Sequence, residues 1–492
     1  MSNTATANQP QSATDSPNPV RGLIMAILVL SVLLRIVVSV YFGSTVPPNQ
    51  DDHSYSELAA RLTSGYGFSF DRPWYPYRQP AGTPTAHWSF LYTAFVAGIY
   101  AVVGVHPLAV RLVQSLLGGV LLPWMTYRLS RRVGATHRRG QAEGQRGGGD
   151  GEGESSGAEE RGTRGLGMAL VAAGIAAVYG YFVLYAARPV TETFYIVALL
   201  WSLERALALA EAPTVGKGAV LGLALGLAAL LRQSIVPWVP VLFLWLLWRS
   251  WRDSRSSGTG RQWNVRTLNR LNVQTLLVSA LVLAACIAPF TIRNYLVYGD
   301  FLLLNSNAGY AMYSAQHPMH GTSFQEYAAA PLPADLRGQG LNEAQWDREL
   351  MRRGIRFVLD EPGRYLLLSL SRVRDTFEFW PTADSSLLYN VGRVTSFGLF
   401  LPFMVYGIIL ALRRATPLRS WGDLVRFSVS PVALLLVFMA FYSLLHILTW
   451  AMTRYRLPVD AVAIIFAALA ISDLAPRFLP RHKSAVPDPP TG

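Results

Sequence analysis

The chain has 492 residues, 51% hydrophobic and only 15% charged, against about 25% charged in an ordinary soluble domain. That balance excludes a wholly water-solvated protein. The formal net charge is +13, but the arginines gather in short segments between apolar runs, which is how membrane helices are oriented rather than how nucleic acid is bound. The single cysteine, Cys286, excludes an intrachain disulfide framework and a cysteine zinc site.

Residues 1–20 are rich in Ser, Thr, Asn, Gln and Pro and read as a disordered cytoplasmic N-terminus. Residues 23–42 are apolar. They are too long for a signal-peptide core and lack a clean cleavage site, so they read as an uncleaved first span. The first outer loop, 43–107, sets Asp51, Asp52, Glu57 and Asp71 against Arg61, Arg72 and Arg78. Its apolar segment 88–103 poses a parity problem. If it crossed the membrane, Arg128, Arg131, Arg132, Arg138 and Arg139 would fall outside, and so would the arginines between 249 and 270. Positive charge belongs on the cytoplasmic side. Segment 88–103 therefore reads as an interfacial helix, led by Trp88, Phe90 and Tyr92.

With that choice the spans are 23–42, 108–127, 166–186, 191–210, 217–231, 235–248, 273–292, 391–412, 427–450 and 458–474. That makes about ten, most of them near the length a bilayer core requires, with 217–231 and 235–248 the shortest. Residues 21–292 form one transmembrane module containing a cytoplasmic linker, 131–165, whose Gly- and Glu-rich part reads as flexible. The basic stretch 249–272 reads as a cytoplasmic loop at lipid headgroups. Residues 293–390 form an extracytoplasmic segment, 391–474 the C-terminal transmembrane helices, and 475–492 a cytoplasmic tail. Within 342–360, Trp346, Leu350, Ile355 and Leu359 line one side of a helix. Residues 365–380 read as an amphipathic helix on the membrane surface. About one hundred residues are marginal for an independent core, so this cap is expected to pack on the spans and the first outer loop. The fold class is an all-α polytopic membrane protein with extracytoplasmic juxtamembrane helices and a small extracytoplasmic cap.

Asp51 and Asp52 open a stretch in which Tyr55, Leu58, Ala59 and Leu62 recur at helical spacing. Two readings stand. The acids cap the helix N-terminus, or a carboxylate at the lipid–water boundary takes a proton from an incoming hydroxyl or amine. Arg78, Arg188, Arg293, Arg454 and Arg456 lie at outer ends of spans. Singly each is an interface anchor; together they suit a phosphate, which Arg grips with forked hydrogen bonds. Glu192 follows Arg188 by one helical turn and is placed to pair with it. Arg35 sits inside the first span, where a charge is costly. The outer histidines His53, His87, His106, His317 and His320 show no metal-ligand spacing.

On several ordered features the sequence resembles the GT-C superfamily of membrane glycosyltransferases, in particular the branch of lipid A aminoarabinose transferase and protein O-mannosyltransferases. They are Asp51-Asp52-x-x-Tyr55 followed by Gly65-Tyr66-Gly67-Phe68; Pro84-Thr85-Ala86 with Phe90-Leu91-Tyr92; Val110-Arg111-Leu112 through Gly118; Arg188 with Thr191-Glu192-Thr193; Pro289-Phe290-Thr291-Ile292-Arg293-Asn294-Tyr295; and Arg454-Tyr455-Arg456-Leu457-Pro458. The resemblance runs from about Leu23 to Leu474 and rests on the order of these features. It implies an inverting hexosyl- or pentosyltransferase of the plasma membrane. Such an enzyme uses a polyprenyl-phosphate sugar and a lipid, glycan or protein acceptor on the extracytoplasmic face. It implies Asp51 as catalytic carboxylate, with Asp52 the close alternative. Arg293 and Arg78, joined by Arg454 and Arg456, would take the donor phosphate, and Tyr55, Arg188, Glu192 and Tyr295 would line the cavity. No resident cofactor follows, although an acidic pair is also a donor set for a hard divalent cation such as Mg or Mn. The sequence departs from the family where Ser89-Phe90 precede Leu91-Tyr92-Thr93, and where no lysine matches one that meets donor phosphate in the aminoarabinose branch. A transporter or flippase of lipid-linked sugars is the rival reading, and a non-catalytic envelope scaffold is a third. Against the transporter, no internal repeat is visible and the polar residues gather at one face.

Overall fold

The structure is a computed structural model that describes residues 19–48, 50–145, 154–256, 270–325, 328–383, 385–415 and 420–478. The expected disordered N-terminus, except its last residues, and most of the expected tail lie outside the described residues. Among those described, every regular element is helical.

Helix α1 (Pro19–Phe42) leads to two short helices, α2 (Asp51–Thr63) and α3 (Phe90–Val103), and then to the long α4 (Pro107–Gln145). Next come α5 (Glu154–Val178), α6 (Gly180–Ala186), α7 (Glu192–Glu211), α8 (Val215–Leu231), α9 (Trp238–Ser256) and α10 (Arg270–Tyr298). The cap holds α11 (Ala308–Gln316), α12 (Glu343–Asp360) and α13 (Pro362–Thr376). The chain closes with α14 (Leu387–Arg393), α15 (Leu399–Ala415), α16 (Trp421–Ser428), α17 (Pro431–Leu448) and α18 (Leu457–Phe478).

Eight helical segments among the described residues are long and apolar enough to cross a membrane, nine if the bent pair α5–α6 counts as one. The tenth expected span, 217–231, is α8, a shorter apolar helix. Helix α3 has 14 residues. At about 1.5 Å per residue it rises roughly 21 Å, short of a hydrocarbon core of about 30 Å. It runs beside α2 instead: the Ser56 and Tyr100 hydroxyls meet at 2.7 Å, and the Tyr55 and Tyr92 rings pack edge to face.

The core lies along α18, whose Ala461, Val462, Ile464, Ala467 and Ala468 are fully buried against α5, α7, α15 and α17. Helix α1 runs outside, with Leu33, Val37 and Val40 more than half exposed, as lipid solvation allows. Its inward face carries Ile24, Ser31, Arg35 and Ser39, all buried. Helix α5 and α6 meet at a 54° bend, which frees the last carbonyls of α5. Arg35 donates to Ala177 O at 2.9 Å and to Ala176 O at 3.1 Å, and is fully buried. The intramembrane charge is thus spent on a helix break.

Three expectations change. The linker 131–165 is helical up to residue 145 and again from 154, leaving only 146–153 between, outside the described residues; its Ala, Glu, Gln and Arg content favours helix. The basic stretch 249–272 likewise begins as helix, since α9 runs to Ser256. The apolar stripe of α12 buries only its first half: Trp346 and Leu350 are buried, while Ile355 and Leu359 are 44% and 74% exposed. Helix α11 meets α12 backbone to backbone as far as Gly354: a Cβ on Gly309 would lie 1.8 Å from Asp347 O, and one on Gly354 would lie 2.7 Å from Tyr313 N.

Candidate active site at the helix ends

Helix α7 has 20 residues and rises about 30 Å, so its termini mark the two ends of the bundle. At its C-terminal end, Glu204 takes Arg132 at 2.9 Å and Arg128 at 3.2 Å. At its N-terminal end stands the other ionic cluster, which contains the acidic pair.

Two buried polar side chains of α4 build that end. Arg111 donates to Thr45 O at 2.7 Å and to Gly43 O, fixing the chain that enters α2, and to Ala187 O at 3.0 Å, fixing the turn after α6. Gln114 caps the same turn through Ala186 O at 3.0 Å and receives the Tyr92 hydroxyl at 2.6 Å. The first turn of α2 and the segment carrying Arg188 are thereby brought face to face.

The N-cap of α2 is Gln50, whose side chain makes no capping bond. Asp51 and Asp52 lie inside the first turn and spend their carboxylates on arginine, so the helix-capping reading does not hold. Asp52 is 1% exposed. Arg188 grips it with two donors, Nε at 3.0 Å from Oδ2 and a terminal nitrogen on Oδ1. The remaining Arg188 donors go to Gln50 Oε1 at 2.8 Å and to the Tyr389 hydroxyl at 2.9 Å. Asp51 is more open, with 28% of its side chain exposed, and pairs with Arg454. Burial pushes the Asp51 carboxyl up, but Arg454, then Arg188 and Arg232, outweigh it and hold the group below the ordinary carboxylate value.

Arg188 does not pair with Glu192, the partner its spacing suggested. Helix α7 starts only at Glu192, so Arg188 lies in a turn where helical spacing has no force. Glu192 accepts Arg232 at 2.7 Å and lies 3.8 Å from Arg454. Arg232, just past the end of α8, also donates to Thr191 Oγ1 at 3.0 Å. It was missed in the sequence, although the alternation of spans already put it at this end. Three arginines and three carboxylates thus balance, with Tyr455 beneath both Arg232 and Arg454 at 5.1 and 5.3 Å.

The other expected site residues are placed differently. Tyr55 is buried against Trp88 and Tyr92; burial, then the Asp51 charge, pushes its hydroxyl up. Arg293 donates to Thr85 O at 2.9 Å and to Asn294 at 3.0 Å, among the rings of Phe68, Phe290 and Tyr298. Arg456 is buried on Asp460 at 3.0 Å and against the Phe397 ring. Arg78 is exposed, with positive φ. Tyr295 is 58% exposed.

Next to Arg293 the first loop meets the cap. Glu343 of α12 accepts Thr85 Oγ1 and the Ala86 N–H, both at 2.7 Å, and Ser306 Oγ at 2.9 Å. A small pocket above it is lined by Arg72, Tyr75, Tyr77, Gln79 and Thr85 and does not include Asp51. His87 links the two regions. Burial lowers its pKa to about 4, against the pull of Ser306 O and Asp51.

Among the described residues no three His, Cys, Asp or Glu side chains gather to hold a metal ion. Asp51 and Asp52 turn to different arginines and do not present a ready cation site.

No family model matches the sequence, and no curated protein matches it. Solved structures do. The oligosaccharyltransferase of Archaeoglobus fulgidus matches in its apo form with a TM-score of 0.53 at 16% identity, over 93% of this chain and 51% of that one. Its complex with Zn and sulfate matches with a TM-score of 0.51 at 13% identity, over 92% and 49%. This chain therefore spans about half the length of those proteins and shares their fold. A structure of ArnT from Cupriavidus metallidurans bound to undecaprenyl phosphate aligns over 94% of this chain and 81% of that one at 13% identity, with a TM-score of 0.38; at that score it bears no weight.

Proposed function

We propose that this chain is an inverting glycosyltransferase. It moves a hexosyl or pentosyl group from a polyprenyl-phosphate donor to a lipid, glycan or protein acceptor at the extracytoplasmic face of the plasma membrane. The observation that carries this is Asp51: a partly open carboxylate beside Arg454 at the bundle end, within a GT-C fold. Sidedness follows from the arginine-rich segments at the opposite end.

Asp51 orients the acceptor and takes its proton as the acceptor oxygen or nitrogen bonds to the anomeric carbon. The bond from that carbon to the phosphate oxygen breaks, and polyprenyl phosphate leaves with the electron pair. Arg454 meets the charge that develops on the leaving oxygen, which is where preorganised donors act most strongly. Arg293 and Arg78 engage the outer part of the donor; Tyr55, Glu192 and Tyr295 belong to the cavity walls. Arg456, held by Asp460, supports the turn that presents Arg454. Asp52 and Arg188 hold the first turn of α2 in place, which makes Asp51 the reacting member of the pair. No step here runs through a metal.

The test is a transfer assay on purified protein with a panel of polyprenyl-phosphate sugars, with and without chelator. Asp51→Asn should abolish transfer while the protein elutes as a folded species. Full activity in that variant removes Asp51 from the chemistry. Failure with every donor, beside a working control enzyme, removes the transferase reading in favour of transport. Loss on chelation alone would bring Mg or Mn into the site.

A further inference from the structure

Around Arg232, Glu192 and Arg454, polar atoms are left over. Glu192 Oε2, Arg454 Nε and His446 Nε2 are buried without a hydrogen-bond partner. Buried polar atoms are seldom orphaned; of these three, Arg454 Nε is the donor that an incoming phosphate oxygen can take, while Glu192 Oε2 is an acceptor and calls for no anion. They share one neighbourhood. His446 stacks on Tyr455 with ring centroids 4.6 Å apart, and the guanidinium groups of Arg232 and Arg454 lie over the same ring. Glu192 Oε1 sits between the two arginines, at 2.7 and 3.8 Å. One carboxylate oxygen is serving two cations, and one of them at a distance too long for a hydrogen bond. The phosphodiester of a donor brings two free oxygens and one charge, and the polyprenyl phosphate it leaves brings three oxygens and up to two charges; either can bridge paired arginines, which one carboxylate oxygen does poorly.

We propose that Arg232 and Arg454 form a phosphate-binding pair for a polyprenyl phosphate, and that the incoming phosphate displaces Asp51 from Arg454, releasing the carboxylate for the acceptor. Asp51 has Arg454 as its ion-pair partner, so exchange at that one arginine is sufficient. Glu192 keeps Arg232 oriented through the exchange, and Thr191 Oγ1 holds its Nε at 3.0 Å. The acceptor-side base is thereby masked until a donor is bound, which disfavours proton transfer without a sugar to receive the nucleophile. This rests on the transferase reading above, but it is a statement about binding and is tested without turnover.

Undecaprenyl phosphate is titrated onto the full chain in lipid nanodiscs, with undecaprenol as the uncharged control and intrinsic tryptophan fluorescence as readout. The wild type should bind the phosphate and not distinguish the alcohol from bulk lipid. Arg232→Gln and Arg454→Gln should each weaken phosphate binding about tenfold or more, the scale of a lost charge-assisted contact. Asp51→Asn should bind about three- to tenfold tighter, because the competing carboxylate is gone. A gain in affinity cannot come from misfolding, so this variant keeps the test sharp even if an arginine variant proves unstable. Unchanged or weaker binding by Asp51→Asn overturns the exchange. Wild-type affinity in both arginine variants, with loss in Arg293→Gln, overturns the site while leaving the transferase reading in place. No binding of undecaprenyl phosphate by the wild type overturns both.

Discussion

Arg188 closes two donors on the Asp52 carboxylate, and Asp52 is 1% exposed. The pair joins the first turn of α2 to the turn between α6 and α7, and through Tyr389 to α14. Neighbouring Asp51 stays 28% exposed and has a single arginine. Adjacent acids thus differ in setting: Asp52 is buried and anchors the turn, while Asp51 stays partly open beside Arg454.

The first prediction follows from that division. Asp52→Asn leaves Arg188 buried with its charge uncompensated and should destabilise the protein by about 3–5 kcal/mol. Asp51→Asn removes a more exposed partner and should change stability far less. Thermal unfolding of both variants in the same detergent measures the difference. Equal losses would dissolve the distinction. The double variant Asp52→Asn with Arg188→Gln should recover part of the loss, since no unpaired charge remains.

The second concerns pH. The folded Asp51 is held below the ordinary carboxylate value. It therefore stays ionised as pH falls to about 4, the usual Asp value, and loses its charge only below that. Its ion pair is present above the ordinary value and fades as pH falls through the lowered one. The acid limb of kcat/KM, which reports the free enzyme, should lie below about pH 4 and be flat from there to neutrality. In Arg454→Gln the strongest lowering partner is gone while burial still pushes the carboxyl up. The residual activity should then show an acid limb moved to higher pH. A limb that stays put would mean that Arg454 does not set the Asp51 charge.

Much of this arrangement was legible in the sequence, for a physical reason. Lipid demands runs of about 20 apolar residues, so nine of the ten apolar runs, counting the bent pair α5–α6 as one, could be placed by length alone, while 217–231 forms a shorter apolar helix. The alternation of spans gathered Asp51, Arg188, Glu192 and Arg454 at one end. It did not reveal who pairs with whom. Glu192 follows Arg188 at helical spacing, but the chain turns between them, and only the packing of α4 and α8 hands Asp52 to Arg188 and Glu192 to Arg232. Arg454 and Arg456 look alike two residues apart. One faces Asp51; the other is buried on Asp460, an acid that the apolar run of α18 concealed.

A third prediction lies in the cap. Burial raises the pKa of Asp347 to about 6, opposed by the Gly309 N–H at 2.7 Å and assisted by Glu343. A raised acid binds its proton more tightly in the folded chain, so its contribution favours the fold on the acid side. Stability is lost as pH rises from about 4 through 6. Asp347→Asn keeps an acceptor for Gly309 without the charge. It should raise the melting temperature at pH 8 by about 1–3 °C and leave it unchanged at pH 4. Scanning both proteins at the two pH values is sufficient, and a gain at pH 4 as large as at pH 8 would refute the charge argument.

The last prediction ties packing to the site. Gly218, Gly222 and Gly226 recur every four residues on the face of α8 that meets α10. A Cβ on Gly222 would lie 2.3 Å from Ser279 O, and one on Gly218 would lie 2.4 Å from Thr275 O. The helices touch backbone to backbone, the small-residue packing by which membrane helices associate where apolar burial gives no drive. Ser279 Oγ strengthens the seam by donating to Gly218 O at 2.7 Å. Arg232 follows directly on α8, so the seam sets where that guanidinium stands. Gly222→Ala must push α8 away, at a cost of about 1–3 kcal/mol for overpacking. A displacement of about 1 Å at a positioning group can reduce turnover by up to a hundredfold, so transfer in Gly222→Ala should fall at least about fivefold. Gly216 lies on the same helix with nothing within 4 Å of its would-be Cβ, and Gly216→Ala should leave both stability and transfer near wild type. If the two alanine variants behave alike, α8 does not position Arg232 through its contact with α10.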